Sequence, residues 1–240
     1  MIPRFFCPAD LPDGGVVALP PEVAHHADKV LRMKVGESLV LFDGSGREVT
    51  ARLAALGRHA TAELGDWSSP ARESSLETVL VQALASGDKM DWIVQKAVEL
   101  GATAVVPLVS ERCVLKLSGD RAEKRLKHWR QVAVSACEQS GRNRVPEVAE
   151  LVSFAEFMAR PAAGTRLALV PEAADRLVAL PRPAGSCEIL IGPEGGWGDR
   201  ELALLQGDRC RAVSLGPRIL RTETAGLAAL AVMQAAWGDF

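Results

Sequence analysis

The stretch "CEILIGPEGG", Cys187 to Gly196, decides how the chain folds. It is a short apolar run that stops abruptly at Gly192 and Pro193, which suits a buried strand opening into a turn where backbone can approach a ligand closely. Two other stretches share this layout. "TRLALVPEA" (165–173) and "RAVSLGPR" (211–218) each carry a strand-like run into Pro, Gly or a charge. Upstream, "LETVLVQAL" (76–84) and "ATAVVPLV" (102–109) read as strands as well.

Helical patterns lie between these strands. "DKMDWIVQKAVELG" has Asp88 as a candidate N-cap, Ile93, Ala97 and Leu100 on one face, and Gly101 placed to end the helix. In "GDRAEKRLKHWRQVAVSACEQSG" (119–141), Leu126, Trp129, Ala133 and Ala136 recur at helical spacing. Strands alternating with helices predict a mostly parallel α/β sheet covered on both faces. Ligands in such sheets bind beyond the carboxyl ends of the strands.

Residues 1 to about 70 have a different texture. Short strand-like pieces alternate with turn chemistry, including "DGSG" at 43–46 between two alternating runs, a hairpin pattern. A short helix fits between Pro21 and Gly36. A small β-barrel with one helix is the natural reading, and the polar "GDWSSPARESS" (65–75) links it to the rest of the chain. Two domains are therefore expected, 1–70 and 71–240.

Composition narrows the chemistry. In 240 residues there is no apolar run approaching the roughly 20 of a membrane span, and "MIPRFFCPAD" has the layout of neither a secretory signal nor a transit peptide. Five scattered cysteines without a C-x-x-C pair argue against a disulfide framework and for a reducing, cytoplasmic setting. Four histidines without a helix-spaced carboxylate partner give no reason to expect a metal. The net charge of −2 argues mildly against nucleic acid, yet Glu111 to Arg144 holds nine basic residues against four acids. An anionic partner is possible if those charges share a face.

Four groups of residues stand out, each with an ordinary explanation beside it. Glu194 lies inside the Gly-rich turn of "ILIGPEGGWGDREL", which lacks both the P-loop lysine and the dinucleotide glycine spacing. A tight strand-to-helix connection explains the glycines, but not the carboxylate between them. "LGPRILRTETA" (215–225) puts Arg218 and Arg221 near Glu223 at the start of an apolar helix. Helix capping explains Thr222, Glu223 and Thr224, whereas cations are disfavoured at a helix N-terminus. An anion or electron-rich substrate accounts better for the arginines. "ACEQSGRNRVPEV" offers Arg142 and Arg144, which either an ordinary solvated loop or, with Arg112 of "SERCVLK", a basic rim would explain. Arg4, His26, Arg32 and Lys34 in the first domain carry little weight on chemistry alone.

Taken together, "RFF" (4–6), the His26–Gly36 segment, "KMDWIVQKAVELG", "SERCVLK", "ACEQSGRNRVPE", "IGPEGGW" and "LGPRILRTETA" resemble the ribosomal small-subunit RNA uridine N3-methyltransferases of the SPOUT superfamily. The match runs in register from Arg4 to the last helix and is weakest over 147–187. The resemblance implies an N-terminal PUA-like barrel that holds RNA and a C-terminal α/β domain with a deep trefoil knot. It also implies S-adenosylmethionine as cofactor, small-subunit ribosomal RNA as partner, and a homodimer. Neither a membrane nor a metal enters that picture.

By that resemblance, three loops cradle the cofactor. The first is Leu169, Val170, Pro171 and Glu172; the second is Ile191, Gly192, Pro193, Gly195 and Gly196; the third supplies Leu215, Gly216, Ile219, Leu220 and Thr222. Arg4, His26, Arg32, Lys34, Arg112, Arg144 and Arg218 would face RNA. For the chemistry, Arg221 or Arg142 would stabilise the developing anion, and Glu194 or Glu223 would assist departure of the N3 proton. The competing readings are a non-catalytic RNA-binding or ribosome-assembly factor, and a SPOUT enzyme acting on transfer RNA or a ribose hydroxyl.

Overall fold

A computed structural model of the chain describes residues 2–8 and 11–240. The chain divides into two compact units. One comprises the residues up to Glu73 together with Cys137–Val145, and the other comprises Ser74–Ala136 and Pro146–Phe240.

The first unit holds β1 (Arg4–Phe6), β2 (Gly15–Ala18), α1 (Pro21–His25), β3 (Ser38–Phe42), β4 (Glu48–Ala55) and β5 (Thr61–Ser68). These strands form one mixed sheet in the order β1-β3-β4-β5-β2, with β1 and β3 parallel and the other neighbours antiparallel. Along β4, Val49, Ala51 and Leu53 point inward while Thr50 and Arg52 face solvent, the period-2 pattern of a strand with one covered face. The inward residues pack with Phe5, Leu39, Leu41, Val23 and Ala27. The β3–β4 connection is the expected hairpin, with Gly44 and Gly46 both at left-handed φ and the Asp43 carboxylate accepting from the Ser45 N–H at 2.9 Å. The helix begun at Pro21 loosens into a π turn over His26–Val30 and stops well short of Gly36, with Arg32 in the left-handed region at φ 54°. Such a residue ends a helix because its N–H and C=O no longer point along the helix axis.

The same unit encloses a polar knot of side chains. Arg4 donates to Glu48 and Asn143, Arg72 donates to Glu48 and to the Gly141 carbonyl, and Asn143 adds a bond to Glu48. Arg4 and Glu48 are about nine-tenths buried, with side-chain exposures of 9% and 11%. Burial opposes the charged form of Glu48, but the hydrogen bonds from Arg4 and Asn143 and the charges of Arg4 and Arg72 outweigh it and hold the carboxyl below its ordinary range.

The second unit holds β6 (Thr78–Ala83), α2 (Lys89–Glu99), β7 (Ala104–Val109), α3 (Gly119–Ser140, whose last turn is counted with the first unit), β8 (Glu147–Val148) and β9 (Val152–Ser153). It continues with α4 (Phe154–Ala159), β10 (Thr165–Leu169), β11 (Cys187–Ile191), α5 (Asp199–Leu205), β12 (Arg211–Val213) and α6 (Thr222–Trp237). The sheet order is β12-β10-β11-β6-β7-β8, with β9 also on β7, and every pairing is parallel. The run of Cys187–Ile191 is buried at all five positions, as a strand covered on both faces requires.

Parity assigns the two faces. Ile189 pairs with Leu80 and Ile191 with Gln82, while Leu190 pairs with Val81. Val81, Leu108, Ala168 and Leu190 pack with Phe154, Phe157 and Met158 of α4, with Trp197 and with Leu205 of α5. On the other face α6 lies so close that a Cβ on Gly226 would come within 3.3 Å of Leu80 and Ile191 side chains. Leu126, Trp129, Ala133 and Ala136 of α3 are buried as their spacing predicts, and the Trp129 indole donates to Asp91 at 2.9 Å. Asp88 stands at the N-cap of α2 but makes no side-chain cap bond. Gly101, at φ 83°, closes α2 with its N–H on the Val98 carbonyl. Helix α4 lies in the stretch with the weakest sequence resemblance and is started by a capping box, Ser153 with Glu156.

Glu48→Ala would leave the buried Arg4 guanidinium without its carboxylate, and a loss of about 3–5 kcal/mol in unfolding free energy is expected. Because the folded-state pKa is depressed, this contribution is present above the ordinary carboxylate range and fades as pH falls through the lowered value. Urea unfolding of wild type and variant at neutral pH and in acid measures both effects.

Candidate functional site

Strands β10, β11 and β12 end side by side, and the loops that leave their carboxyl ends enclose a cleft of about 650 Å³. Leu169, Val170, Pro171 and Glu172 come from the first loop, Ile191, Gly192, Pro193, Glu194, Gly195 and Gly196 from the second, and Leu215, Gly216, Arg218, Ile219, Leu220, Arg221 and Thr222 from the third. Every residue assigned to the cradle by sequence resemblance thus lines one cleft. Its size is that of a site for a nucleotide-sized ligand.

Buried polar contacts fix these loops. The Thr222 hydroxyl donates to the Gly192 carbonyl at 2.6 Å and accepts from the Gln82 amide at 2.9 Å, which joins the start of α6 to the ends of β11 and β6. The Trp197 indole donates to the Leu169 carbonyl at 3.1 Å, and its ring lies beneath Gly192, where a Cβ would meet it at 3.1 Å. A side chain at 192 would crowd the indole. Glu201 is buried and accepts from the Ser110 hydroxyl, the Glu111 N–H and the Gly198 N–H at 2.8–2.9 Å, so both oxygens of its carboxyl group have partners. Gly196 sits at φ 69°, where a side chain is strained.

The rim of the cleft is charged. Glu194 Oε1 accepts from the Ser86 N–H at 3.0 Å, the Ser86 hydroxyl at 2.7 Å and the Lys89 ammonium at 3.1 Å. The same ammonium stands 3.3 Å from Glu223. Burial opposes ionisation of Glu194, but the Ser86 and Lys89 bonds override it and bring the carboxyl down to about 2. Such a carboxylate is a weak base at neutral pH. Arg218 and Arg221 line the cleft, are exposed, and form no ion pair among the described residues.

Several sequence candidates lie elsewhere. Arg142 belongs to the first unit, where its guanidinium is buried and bound twice to the Glu73 carboxylate at 2.7 and 3.0 Å. It does not line the cleft of this chain. Arg4 is committed to Glu48 and Asn143, which leaves little of it to grip a phosphate. His26 is half-buried and packs edge-on against Phe5. Arg32, Lys34 and Arg144 are exposed in the first unit. Arg112, in the second, pairs with Asp199 at 3.2 Å and reaches the Gly195 carbonyl at 3.5 Å. Among the described residues no three His, Cys, Asp or Glu cluster to hold a metal, and no helix is long and apolar enough to cross a membrane. All five thiols are buried, and burial pushes those of Cys7, Cys137, Cys187 and Cys210 up to about 12.

A larger hollow, about 940 Å³, lies at the opposite, amino-terminal ends of β10 and β12 and is lined by Arg160, Arg166, Arg209 and Arg211. Two of these arginines have carboxylate partners, Arg166 with Glu188 at 2.6 Å and Arg211 with Asp175 at 2.7 Å.

Residues 72–234 match the model of an RNA methyltransferase domain, and residues 19–62 match that of an RNA methyltransferase PUA domain. Ribosomal RNA small subunit methyltransferase E of Mycobacterium bovis is 36% identical over 99% of this chain and 94% of its own length. The Bacillus subtilis protein of the same name is 33% identical over 88% and 87%. The chain belongs to the ribosomal RNA small subunit methyltransferase E family. A family member from Neisseria gonorrhoeae, solved bound to S-adenosyl methionine, is 44% identical and superposes over the whole of both chains with a TM-score of 0.93. A Legionella pneumophila methyltransferase, solved with the same cofactor, is 37% identical with a TM-score of 0.95 over both full chains. The family's α/β fold, a PUA sheet followed by a parallel SPOUT-type sheet, is the fold of this chain.

Sequence reasoning missed Lys89 and Trp197, which line the cleft, and Gln82 and Glu201, which hydrogen-bond to the segments that hold it. Lys89 opens a helix whose apolar face drew the attention, and only the tertiary structure brings it to Glu194, more than 100 positions away. Trp197 stands in the quoted motif, so its presence beside three glycines was the available clue. Glu194 is expected to titrate near 2 in a carboxyl-resolved NMR titration, and Ser86→Ala, which removes one of its three donors, is expected to raise that midpoint toward the ordinary carboxylate value.

Proposed function

We propose that this chain transfers the methyl group of S-adenosylmethionine to N3 of a uridine in small-subunit ribosomal RNA, acting as a homodimer on an assembled or nearly assembled subunit. The observation that carries this reading is the convergence of the three strand-end loops on one cleft in a chain of this family. The cleft suits the cofactor in kind. Leu169, Ile191, Leu215 and Leu220 offer apolar walls, and Gly192, Gly195 and Gly216 offer backbone edges that a heterocycle can approach. The deep trefoil knot implied by the family resemblance belongs to the same reading.

When bound, S-adenosylmethionine supplies an electrophilic methyl group on a sulfonium. The protein's part is to orient an in-line displacement and to make uridine N3 nucleophilic. N3 must lose a proton, and the charge left behind spreads to the flanking carbonyl oxygens. Arg221, exposed at the cleft and unpaired among the described residues, is the group we assign to that charge. With Glu194 held at about 2, Glu223 is the carboxylate better suited to assist the proton's departure. Arg142 has its charge met by Glu73 and is assigned a structural role in its own unit.

The exposed Arg32, Lys34 and Arg144 of the first unit and Arg218 at the cleft are proposed to contact phosphates. A net charge of −2 gives modest affinity for naked RNA, which favours a preformed ribosomal surface as substrate. Ile219, 81% exposed at the lip of the cleft, is an apolar surface that a second subunit or an unstacked base would cover.

The test is transfer of labelled methyl to small ribosomal subunits lacking the modification, beside free ribosomal RNA and transfer RNA. Label recovered as N3-methyluridine from subunits supports the proposal. Label on transfer RNA or a ribose replaces the substrate, and absence of both transfer and cofactor binding leaves a binding factor. In the active system Glu223→Gln is expected to slow transfer at saturating cofactor by about 100-fold, while Glu194→Gln chiefly raises KM for the cofactor. Equal rates in wild type and Glu223→Gln, with folding intact, remove Glu223 from the chemistry.

A further inference from the structure

The motif "SGDKMDW" (86–92) leads into and opens α2, a helix that the cofactor cradle does not include, yet it sends Lys89 into the cleft. Its ammonium lies 3.1 Å from Glu194 and 3.3 Å from Glu223. Glu194 belongs to the glycine loop after β11 and Glu223 to the first turn of α6, so one cation bridges the glycine loop and the helix start beside it. The loop after β6 joins them, because Ser86 donates twice to the same Glu194 oxygen.

The two carboxylates touch one ammonium and are therefore within two hydrogen-bond lengths of each other. Without the cation they repel, and neither can retreat easily. Glu194 is tied down by Ser86, and Glu223 is fixed one residue after Thr222, whose hydroxyl is bound to Gly192 and Gln82. The strain would fall on the Gly196 backbone, which stands in open space at φ 69°.

We propose that Lys89 is a positioning residue that sets the aperture of the cofactor cleft by neutralising Glu194 and Glu223 together. This rests on the reading of the cleft as the S-adenosylmethionine site. Its action runs through the two carboxylates, so removing one of them substitutes for restoring the cation.

Lys89→Met keeps the length and apolar stem of the side chain and removes the charge. Calorimetric titration is expected to show S-adenosylmethionine binding weakened by about tenfold, and S-adenosylhomocysteine, which lacks the sulfonium charge, weakened by the same factor. Lys89→Arg is expected to stay within about threefold of wild type. The decisive variant is Lys89→Met with Glu223→Gln, which is expected to recover most of the lost affinity because the repulsion is gone. Hydrogen exchange of the free protein gives a readout that needs no ligand: protection over 192–197 drops in Lys89→Met and returns in the double variant.

Unchanged or tighter binding by Lys89→Met, loss confined to S-adenosylmethionine, or failure of the double variant to recover affinity and protection would each overturn the proposal. Failure of the wild type to bind either molecule would instead overturn the reading of the cleft. Even then, the exchange pattern would still report whether the clamp holds the loop.

Discussion

The cleft depends on the hydroxyl of Thr222. It occupies the point where the first turn of α6 meets the ends of β6 and β11, and it satisfies the Gly192 carbonyl while accepting from Gln82. Thr222 and Gln82 are buried, so losing either bond would leave a polar group without the water that could replace it. The start of α6 is thus held to the glycine loop. Gly226, one turn further on, allows α6 to settle on Leu80 and Ile191 behind it. The position of the third loop, and of Arg218 and Arg221 on it, results from this anchoring.

The other two loops are secured by different means with the same physical logic. Trp197 presents its ring to Gly192 and its indole N–H to the carbonyl of Leu169, so one side chain supports two walls of the cleft. Glu201 is buried with three donors around its carboxylate, two from the segment after β7 and one from Gly198. A cleft whose walls are held by hydrogen bonds already in place needs little reorganisation when a ligand enters, which is where preorganised sites gain their affinity. Of the charges at the surface of the cleft, Lys89 and Glu194 pair with each other, while Arg218 and Arg221 form no ion pair among the described residues.

The arginines illustrate how burial separates two uses of one residue type. Arg4, Arg142 and Arg166 are buried and face Glu48, Glu73 and Glu188 respectively. An unpaired guanidinium in those positions would be strongly destabilising, so their partners are part of the fold. Arg32, Arg144, Arg218 and Arg221 are exposed, and there a guanidinium is available to phosphate or to an electron-rich base. In sequence the two sets look alike.

What the sequence by itself determined was carried by periodicity and by turn chemistry. The buried run of Cys187–Ile191, the helical spacing of Leu126, Trp129, Ala133 and Ala136, and the Asp43–Gly46 hairpin were all legible because local backbone preference and burial agree there. The three strand ends were legible as apolar runs that stop at Gly, Pro or a charge, whereas the grouping of their loops around one cleft was implied by the family resemblance alone. Tertiary structure alone decided that Cys137–Val145 is counted with the first unit, that Arg142 is consumed by Glu73, and that Lys89 stands between Glu194 and Glu223. The physical reason is range. Propensity and capping act over a few residues, whereas the partner of a buried charge is set by where the chain returns in space, over sequence separations of 69 residues for Arg142 and 105 for Lys89.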